Sequence, residues 1–180
     1  MGEYRAEWES CWEMLYYRGV RHSMQMAPEF MFRRSALERI GGFVDFPLAI
    51  SSDDATWYAL AKANGCVCSP QWLFHWRMSG QNICTRTDNM LMKAKATLLF
   101  QQWLHDFMES VPLLNNEDEY YKKLVYKDID SSILTVLDGF LKHLHLPQWL
   151  KAMHSLELSD KRFRHYLWRS RLKHLWNLHW

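Results

Sequence analysis

The sequence predicts an α+β fold that is rich in helices, and two observations carry this prediction. Six of the seven glycines and three of the five prolines lie before residue 86. Because glycine and proline interrupt regular elements, the first half should consist of short helices, strands and loops. From residue 87 onward only Pro112, Gly139 and Pro147 interrupt apolar patterns at helical spacing, so this part should be helical.

Apolar spacing and capping signals predict the individual elements. Ser35 followed by Glu38 is a capping-box pattern, and Gly65 is a typical helix stop. In chain order, the predicted elements are a helix over 3–17 that stops at Gly19, an extended segment over 22–32, a short helix from 35 to the glycine pair 41–42, a loop over 43–50, a helix from 52 or 53 to about 64, one or two strands over 66–78, and helices near 89–109, 117–143, 148–156 and 159–176.

Charge and hydropathy narrow the class of protein. The formal net charge of +2 gives no strong positive field, which argues against nucleic acid as a main partner. No apolar run approaches the roughly 20 residues that span a bilayer. The acidic, amphipathic N-terminus lacks the hydrophobic stretch of a signal peptide. A cytoplasmic location is therefore expected.

The four cysteines, Cys11, Cys66, Cys68 and Cys84, do not predict a zinc knuckle. Cys66 and Cys68 would project from one face of a strand, but their spacing is unusual for a knuckle and no second pair completes one. Buried reduced thiols are the favoured interpretation.

Three ordered blocks of the first half carry a family resemblance. The first is Phe-Met-Phe-Arg-Arg-Ser-Ala-Leu-Glu-Arg-Ile-Gly-Gly-Phe over 30–43, followed by Asp-Phe-Pro-Leu-Ala over 45–49. The second is Ser-Ser-Asp-Asp-Ala-Thr-Trp over 51–57, and the third is Phe-His-Trp-Arg-Met-Ser-Gly-Gln-Asn-Ile over 74–83. In order and spacing they resemble a bacterial subgroup of the family 2 glycosyltransferases. The resemblance implies the acceptor-side part of a GT-A-type fold over residues 1–86, followed by a helical C-terminal extension over 87–180.

The resemblance implies a catalytic role for the acidic pair Asp53 and Asp54. In the family, the pair after the Gly-Gly-Phe segment opens a helix, and its second carboxylate, here Asp54, is the catalytic base. An inverting transfer needs such a base to take the proton of the acceptor hydroxyl. A neighbouring carboxylate such as Asp53 raises the proton affinity of its partner. Aspartate is also common at helix starts, but the flanking blocks favour the base.

Trp57 lies one helical turn after Asp54. Both side chains could face one cleft, in which the indole would stack on a sugar ring as a substrate-binding residue. The equally weighted alternative is that Trp57 joins Leu60 and Ala61 in the core.

The third block corresponds to a strand and a flexible loop near the donor phosphates in the family. It implies that Arg77 contacts the diphosphate, since a planar guanidinium matches phosphate oxygens, with Ser79 and Asn82 as further substrate-binding residues. His75 lies where some relatives have a metal ligand, although a strand residue facing away from its aromatic neighbours is the favoured interpretation. The longer pattern Gln-x-x-Arg-Trp is absent, which argues against a processive polysaccharide synthase.

We expect this chain to have no counterpart of the half of the family's fold that binds the donor. That half supplies a nucleotide-binding unit and an Asp-x-Asp that holds Mg²⁺ or Mn²⁺ on the donor diphosphate, and nothing before residue 20 could encode it. Asp128 and Asp130 form an Asp-x-Asp, but on a helix they diverge by about 200°, so a solvated face is predicted. We expect a divalent metal in a longer parent enzyme, none in this chain, and no activity for the chain alone.

The C-terminal segment is basic and aromatic. Six lysines and arginines and no acidic residue follow Asp160, interleaved with residues such as Trp168 and Trp176. Such a helix suits an anionic membrane surface. The alternative is an ordinary terminal helix that packs through Phe163 and Leu167.

The family resemblance implies a glycosyltransferase that moves a sugar from a nucleotide-sugar donor to a glycan or lipid-linked acceptor in cell-surface polysaccharide biosynthesis. We expect it to be cytoplasmic and peripheral on the inner face of the membrane. The rival interpretation is a non-catalytic helical interaction or membrane-docking module that retains a relic of the transferase site.

Overall fold

Helices dominate the computed structural model, which describes residues 7–23, 25–69, 75, 89–156 and 161–177, without the side chains of residues 155, 162 and 174–177. In chain order its elements are β1 (Trp8–Glu9), α1 (Cys11–Met14), α2 (Arg34–Arg39), α3 (Ser52–Ala61), β2 (Cys66–Val67), α4 (Met90–Met108), α5 (Asp118–Leu141), α6 (Leu146–Ser155) and α7 (Lys161–Asn177). A π-helical segment, Leu15–Val20, continues α1, and two 3-10 turns lie at Ala27–Glu29 and Pro47–Ala49. The prediction of a helix-rich α+β fold is confirmed.

The first helix begins later and ends later than predicted. Ser10 caps it, because its hydroxyl accepts a hydrogen bond from the Glu13 amide at 3.1 Å while Glu13 Oε2 accepts one from the Ser10 amide at 2.8 Å. This capping box starts α1 at Cys11. The predicted stop at Gly19 is wrong. A Cβ at Gly19 would lie 3.1 Å from Ile129 on α5, so the glycine permits close packing of the π-helical segment.

A short antiparallel strand pair joins the chain ahead of α1 to the chain after α3. Trp8 lies opposite Val67 and Glu9 lies opposite Cys66. The predicted helix over 3–17 is therefore wrong at residues 8 and 9, because these residues pair with a strand that lies far along the sequence, at 66–67, and this pairing outweighs the local helical pattern. The predicted strands over 66–78 are found at 66–67, and most of the remainder lies outside the described residues.

The segment from α2 to α3 follows the predicted order. Gly41 and Gly42 end α2 with φ values of 86° and 99°. The predicted loop over 43–50 then folds back on α3, where the Val44 amide donates to Thr56 Oγ1 at 3.0 Å. The Phe46 amide donates to Ser52 Oγ at 2.9 Å. These bonds hold the loop beside the start of α3. The extended segment predicted over 22–32 contains instead the 3-10 turn at 27–29.

The main core joins the first half of the chain to the helical part. α4 and α5 pack along one another, and the π-helical segment packs on α5. The core contains Trp12, Tyr58, Phe100, Leu104 and Ile129, each no more than 8% exposed. It therefore draws residues from both sides of position 86.

The second core lies around the C-terminal end of α5. Leu137 and Leu141 of α5 pack with Trp149 of α6 and with Phe163 and Leu167 of α7, all nearly inaccessible to solvent. α7 thus packs through Phe163 and Leu167, the two residues that the sequence analysis named for an ordinary terminal helix. None of the described helices is long and apolar enough to cross a membrane.

Candidate functional site

An open groove of about 790 Å³ lies over the N-terminal end of α3. We call it the aromatic groove, and it is lined by Phe30, Phe32, Phe43, Trp57, Ser52 and Asp53 among others. The loop over 43–50 forms one wall, because its amides are bonded to the α3 side chains Ser52 and Thr56. The groove therefore combines apolar faces with the start of a helix, where an acidic pair lies.

Trp57 is at the floor of the aromatic groove. Its ring stacks on Phe30 with 4.9 Å between centroids and 12° between planes. Phe32 lies 5.2 Å and Phe43 6.1 Å from the same ring. Trp57 is only 5% exposed, whereas Phe32 and Phe43 are 39% and 58% exposed. The most accessible aromatic faces of the groove are therefore those of Phe32 and Phe43.

The indole of Trp57 carries a polar atom without a partner. Its Nε1 is fully buried and has no hydrogen-bond acceptor among the described residues. Buried polar groups are nearly always paired, with water or a ligand if not with protein. The structure therefore leaves this donor unpaired among the described residues, on a ring that lines the groove together with Ser52 and Asp53.

Arg18 forms ion pairs with both carboxylates of the acidic pair. This residue of the π-helical segment is 8% exposed, and its Nε donates to Asp54 Oδ1. Its Nη2 lies 3.9 Å from Asp53 Oδ2, and its Nη1 donates to the Gln25 carbonyl at 2.7 Å. The guanidinium also lies over the Phe30 ring, 5.2 Å from the centroid. Arg18 thus contacts both carboxylates and also an aromatic ring of the groove.

The two carboxylates occupy different surroundings. Asp53 lines the aromatic groove and its side chain is 37% exposed. Asp54 lines a smaller cavity of about 80 Å³ behind it and is 28% exposed. Burial raises the pKa of Asp54 above its usual value, Arg18 opposes this shift, and the charge of Asp53 adds to it. Asp54 is therefore the carboxylate of the pair with increased proton affinity.

The smaller cavity, which we call the inner cavity, has several polar side chains among apolar ones. His22 Nε2 lies 2.8 Å from Ser132 Oγ, and the Ser132 hydroxyl donates to the Gly19 carbonyl at 2.6 Å. Both side chains line the inner cavity together with Arg18 and Asp54. The arrangement holds the π-helical segment to α5 close to the acidic pair.

The structure brings together some of the predicted site residues and separates others. Asp53 and Trp57 share the aromatic groove, whereas Asp54 faces the inner cavity, so the expectation of one cleft for Asp54 and Trp57 is not met. The reason is helical geometry: position 57 lies about 40° around the helix from position 53 and about 60° from position 54, and the two aspartates themselves are about 100° apart. Trp57 is a core residue and a groove residue at once.

The predicted phosphate-contacting block falls largely outside the described residues. Arg77, Ser79 and Asn82 lie there. His75 is described and exposed. The predicted roles of these residues remain predictions.

Arg18 and Phe43 are the site residues that the sequence did not point to. Arg18 is 36 positions from Asp54, and no local pattern connects the two. Phe43 was part of the resembling block but had no assigned role. Its position directly after the glycine pair, together with Phe30 and Phe32, was the signal that could have predicted an aromatic surface.

Metal-ligating side chains converge away from the aromatic groove. Among the described residues, one group of at least three such side chains has its ligand atoms close enough to share an ion, and it comprises Glu9, Cys66 and Cys68. Cys66 and Cys68 are half-buried, so the prediction of buried thiols holds for Cys11 alone of the three described cysteines.

The chain matches no known protein-family model, and no curated protein or solved structure shows significant similarity to it.

Proposed function

We propose that this chain provides the acceptor-binding and base-carrying side of a glycosyltransferase, in the manner of a GT-A-type, family 2 enzyme. The observation that carries the proposal is the aromatic groove with an acidic pair at the adjoining helix start. Binding sites for small molecules are typically concave and largely apolar, with a few polar groups that fix orientation. A sugar ring has apolar C–H faces and polar hydroxyls, and it matches this combination.

The acceptor sugar lies in the aromatic groove. Phe32 and Phe43 offer their exposed faces to the ring, and Trp57 forms the floor. Asp53 is placed to accept a hydrogen bond from a sugar hydroxyl, because its carboxylate lines the groove and is partly exposed. Burial of the apolar faces supplies affinity, and the carboxylate supplies orientation.

Asp54 acts as the general base. A carboxylate with increased proton affinity takes a hydroxyl proton more readily, and burial raises the pKa of Asp54. Arg18 contacts Oδ1 and leaves Oδ2 to take the proton. Because Asp54 faces the inner cavity, the proton reaches Oδ2 through one bridging water or by entry of the acceptor hydroxyl into that cavity. After transfer, Arg18 keeps the protonated or charged carboxyl in place.

A nucleotide-binding part supplies the donor. Among the described residues the sheet has two strands, which is too small for a donor-binding parallel sheet. The donor diphosphate and its Mg²⁺ or Mn²⁺ are therefore assigned to another part of the enzyme. Arg77, Ser79 and Asn82 are proposed to bind the donor, with His75 as a metal ligand.

Asp54→Asn tests the function directly. Transfer is measured from UDP- and GDP-sugars to glycan acceptors in the enzyme that joins this chain to a donor-binding part. We expect a loss of roughly 10²–10⁴-fold, since that is the usual contribution of a general base, with donor affinity unchanged. Asp53→Asn should lose less. Asp106→Asn, which alters an exposed aspartate of α4 that does not line the groove, is the matched control. Wild-type turnover by Asp54→Asn at saturating acceptor would remove Asp54 from the mechanism.

A second candidate function is a membrane-docking module, and the surface of α7 favours it. Trp168, Tyr166 and Leu172 are 39%, 41% and 60% exposed. Arg164, Arg169 and Lys173 are exposed on the same helix. Aromatic and aliphatic side chains among basic ones suit the headgroup region of an anionic bilayer. This role is compatible with a transferase that acts on lipid-linked acceptors.

A further inference from the structure

The strand pair β1–β2 brings a carboxylate and two thiols together at a place remote from the aromatic groove. The ligand atoms of Glu9, Cys66 and Cys68 all lie within 4.8 Å of one another. The strand register explains the convergence. Glu9 is directly opposite Cys66, so their side chains are on one face of the pair, and Cys68 is two positions further along the same face.

The backbone around these three side chains is held by other contacts. The Cys68 amide donates to the Glu7 carbonyl at 2.8 Å, and Trp8 Nε1 donates to the Asn64 carbonyl at 2.9 Å. Gly65 has φ +68°, and a Cβ there would be 2.2 Å from the Glu9 carbonyl oxygen. The close approach of the strands therefore needs a glycine at this turn. The three side chains are positioned by the fold itself.

The electrostatics of the group favour a cation. Glu9 is 1% exposed, and the two cysteines are half-buried. Three groups that each carry a negative charge when deprotonated repel one another at this separation, and a shared cation relieves that repulsion. A divalent ion binds thiolate and carboxylate together, and its binding releases thiol protons.

We propose that Glu9, Cys66 and Cys68 form a Zn²⁺ site. Two soft thiolates select zinc over magnesium or calcium, and a carboxylate oxygen is an accepted third ligand in tetrahedral zinc sites. The fourth position is taken by water or by one further donor. Binding forms two Zn–S bonds and one Zn–O bond and releases up to two protons from the thiols, with no change of oxidation state.

The proposed zinc site links the chain before α1 to the chain after α3. β1 leads directly into the capped start of α1, and β2 follows the C-terminal end of α3. The acidic pair lies at the opposite end of α3, so the zinc does not take part in the chemistry proposed for Asp54. Its role is to stabilise the strand pair, which has two residues in each strand.

Metal titration of the full chain tests the site. The reduced, metal-free protein is titrated with Zn²⁺ against a chromophoric chelator, and with Co²⁺ for the charge-transfer absorption of cobalt–thiolate bonds. We expect one ion per chain, and a Tm that rises with free Zn²⁺ because the folded state binds the ion. Cys66→Ser and Cys68→Ser should each lower affinity by at least roughly 10–100-fold. Glu9→Gln should weaken binding and retain the cobalt–thiolate band.

Cys11→Ser is the matched control. The Cys11 thiol donates to the Tyr58 carbonyl at 3.5 Å and is not part of the group. Burial, with a smaller contribution from Asp118, raises the pKa of Cys11 to about 12, so this thiol should react slowly with alkylating agents near neutral pH. Its replacement should leave zinc affinity unchanged.

Alkylation of the wild-type protein gives a second measurement that needs no variant to fold. Zn²⁺ should protect Cys66 and Cys68 from iodoacetamide, as read by peptide mass, and Mg²⁺ should not. The proposal is overturned if the reduced chain binds no stoichiometric Zn²⁺, or if Zn²⁺ leaves the alkylation of both thiols unchanged. Equal zinc affinity of the wild type and the double variant Cys66→Ser/Cys68→Ser would also overturn it.

Discussion

At the scale of single residues, Arg18 sets the properties of the acidic pair. It is nearly buried, contacts Asp54, and lies 3.9 Å from Asp53. Since it is a permanent charge, it lowers the pKa of Asp54, against the larger effect of burial. The balance of these two effects decides how strong a base Asp54 is.

Replacing Arg18 by glutamine should raise the pKa of Asp54 further. The amide keeps a hydrogen-bond donor but removes the charge that favours the carboxylate. The base must be deprotonated to act, so the rise of transfer rate with pH should move to higher pH in the variant. Carboxyl ¹³C NMR titration measures the pKa. Arg34→Gln, which alters an exposed pair with Glu38, is the control and should leave Asp54 unchanged. An unchanged or lower Asp54 pKa in Arg18→Gln would contradict this account.

The sequence predicted the acidic pair and Trp57 but not their partition between two cavities. The motif and its helix were recognisable locally, and α3 begins where predicted. Arg18 could not be found in the same way, because its contact with Asp54 depends on how the π-helical segment packs on α5. Likewise, Asp130 was assigned to a solvated face, yet it accepts hydrogen bonds from Gln101 and His105 at 2.9 Å.

At the scale of elements, the helical half was predictable and the start of the chain was not. α4 and α5 lie within two residues of their predicted limits, since long apolar periodicity determines them. β1 depends on a partner strand far along the sequence, and nothing local indicates it. The Ser10–Glu13 capping box was present in the sequence and would have corrected the helix start.

Two glycines should respond in opposite ways to replacement by alanine. Gly65→Ala should lower the free energy of unfolding by about 2–4 kcal/mol. Alanine is strained in the left-handed conformation of this residue, and its Cβ would also clash with the backbone of β1. Gly139→Ala, within α5 and with nothing near its Cβ position, should raise it by about 0.5–1 kcal/mol. Urea unfolding measures both. A neutral Gly65→Ala would mean that the turn between α3 and β2 is not as close as described.

At the scale of the whole molecule, α7 serves the fold on one face and presents charge on the other. Phe163 and Leu167 are buried in the second core. Arg171 is 6% exposed, lies over Trp149, and donates to the Lys142 carbonyl at 3.3 Å. Arg171 is therefore not part of the exposed basic surface that the sequence predicted for α7.

Reversing the charge of Arg164, Arg169 and Lys173 to glutamate should abolish binding to anionic vesicles. Each basic residue near such a surface contributes about 1 kcal/mol, and the attraction should fall as salt is raised. Co-sedimentation with phosphatidylglycerol vesicles is the assay. Reversal of Lys95, Lys123 and Lys127, which are exposed on α4 and α5, changes the net charge equally and is the control. If both triple variants bind alike, or if the intact chain stays in the supernatant, α7 has only its packing role.

Sugar binding in the aromatic groove is the central claim, and NMR of the Trp57 indole tests it most directly. The chain is first screened against an array of defined oligosaccharides, and any bound sugar is then titrated into ¹⁵N-labelled protein. We expect the Trp57 Nε1–H signal to shift, because the Trp57 indole lines the groove and its N–H has no partner among the described residues.

Phe43→Ala should weaken that binding about tenfold, which corresponds to about 1.4 kcal/mol. Tyr166→Ala, which removes an exposed aromatic ring on α7, should leave the affinity unchanged. The account predicts that pattern of a Trp57 shift, a weakened Phe43 variant and an unaffected Tyr166 variant. A chain that binds no sugar on the array, or one whose sugar affinity is the same after Phe43→Ala, would contradict it.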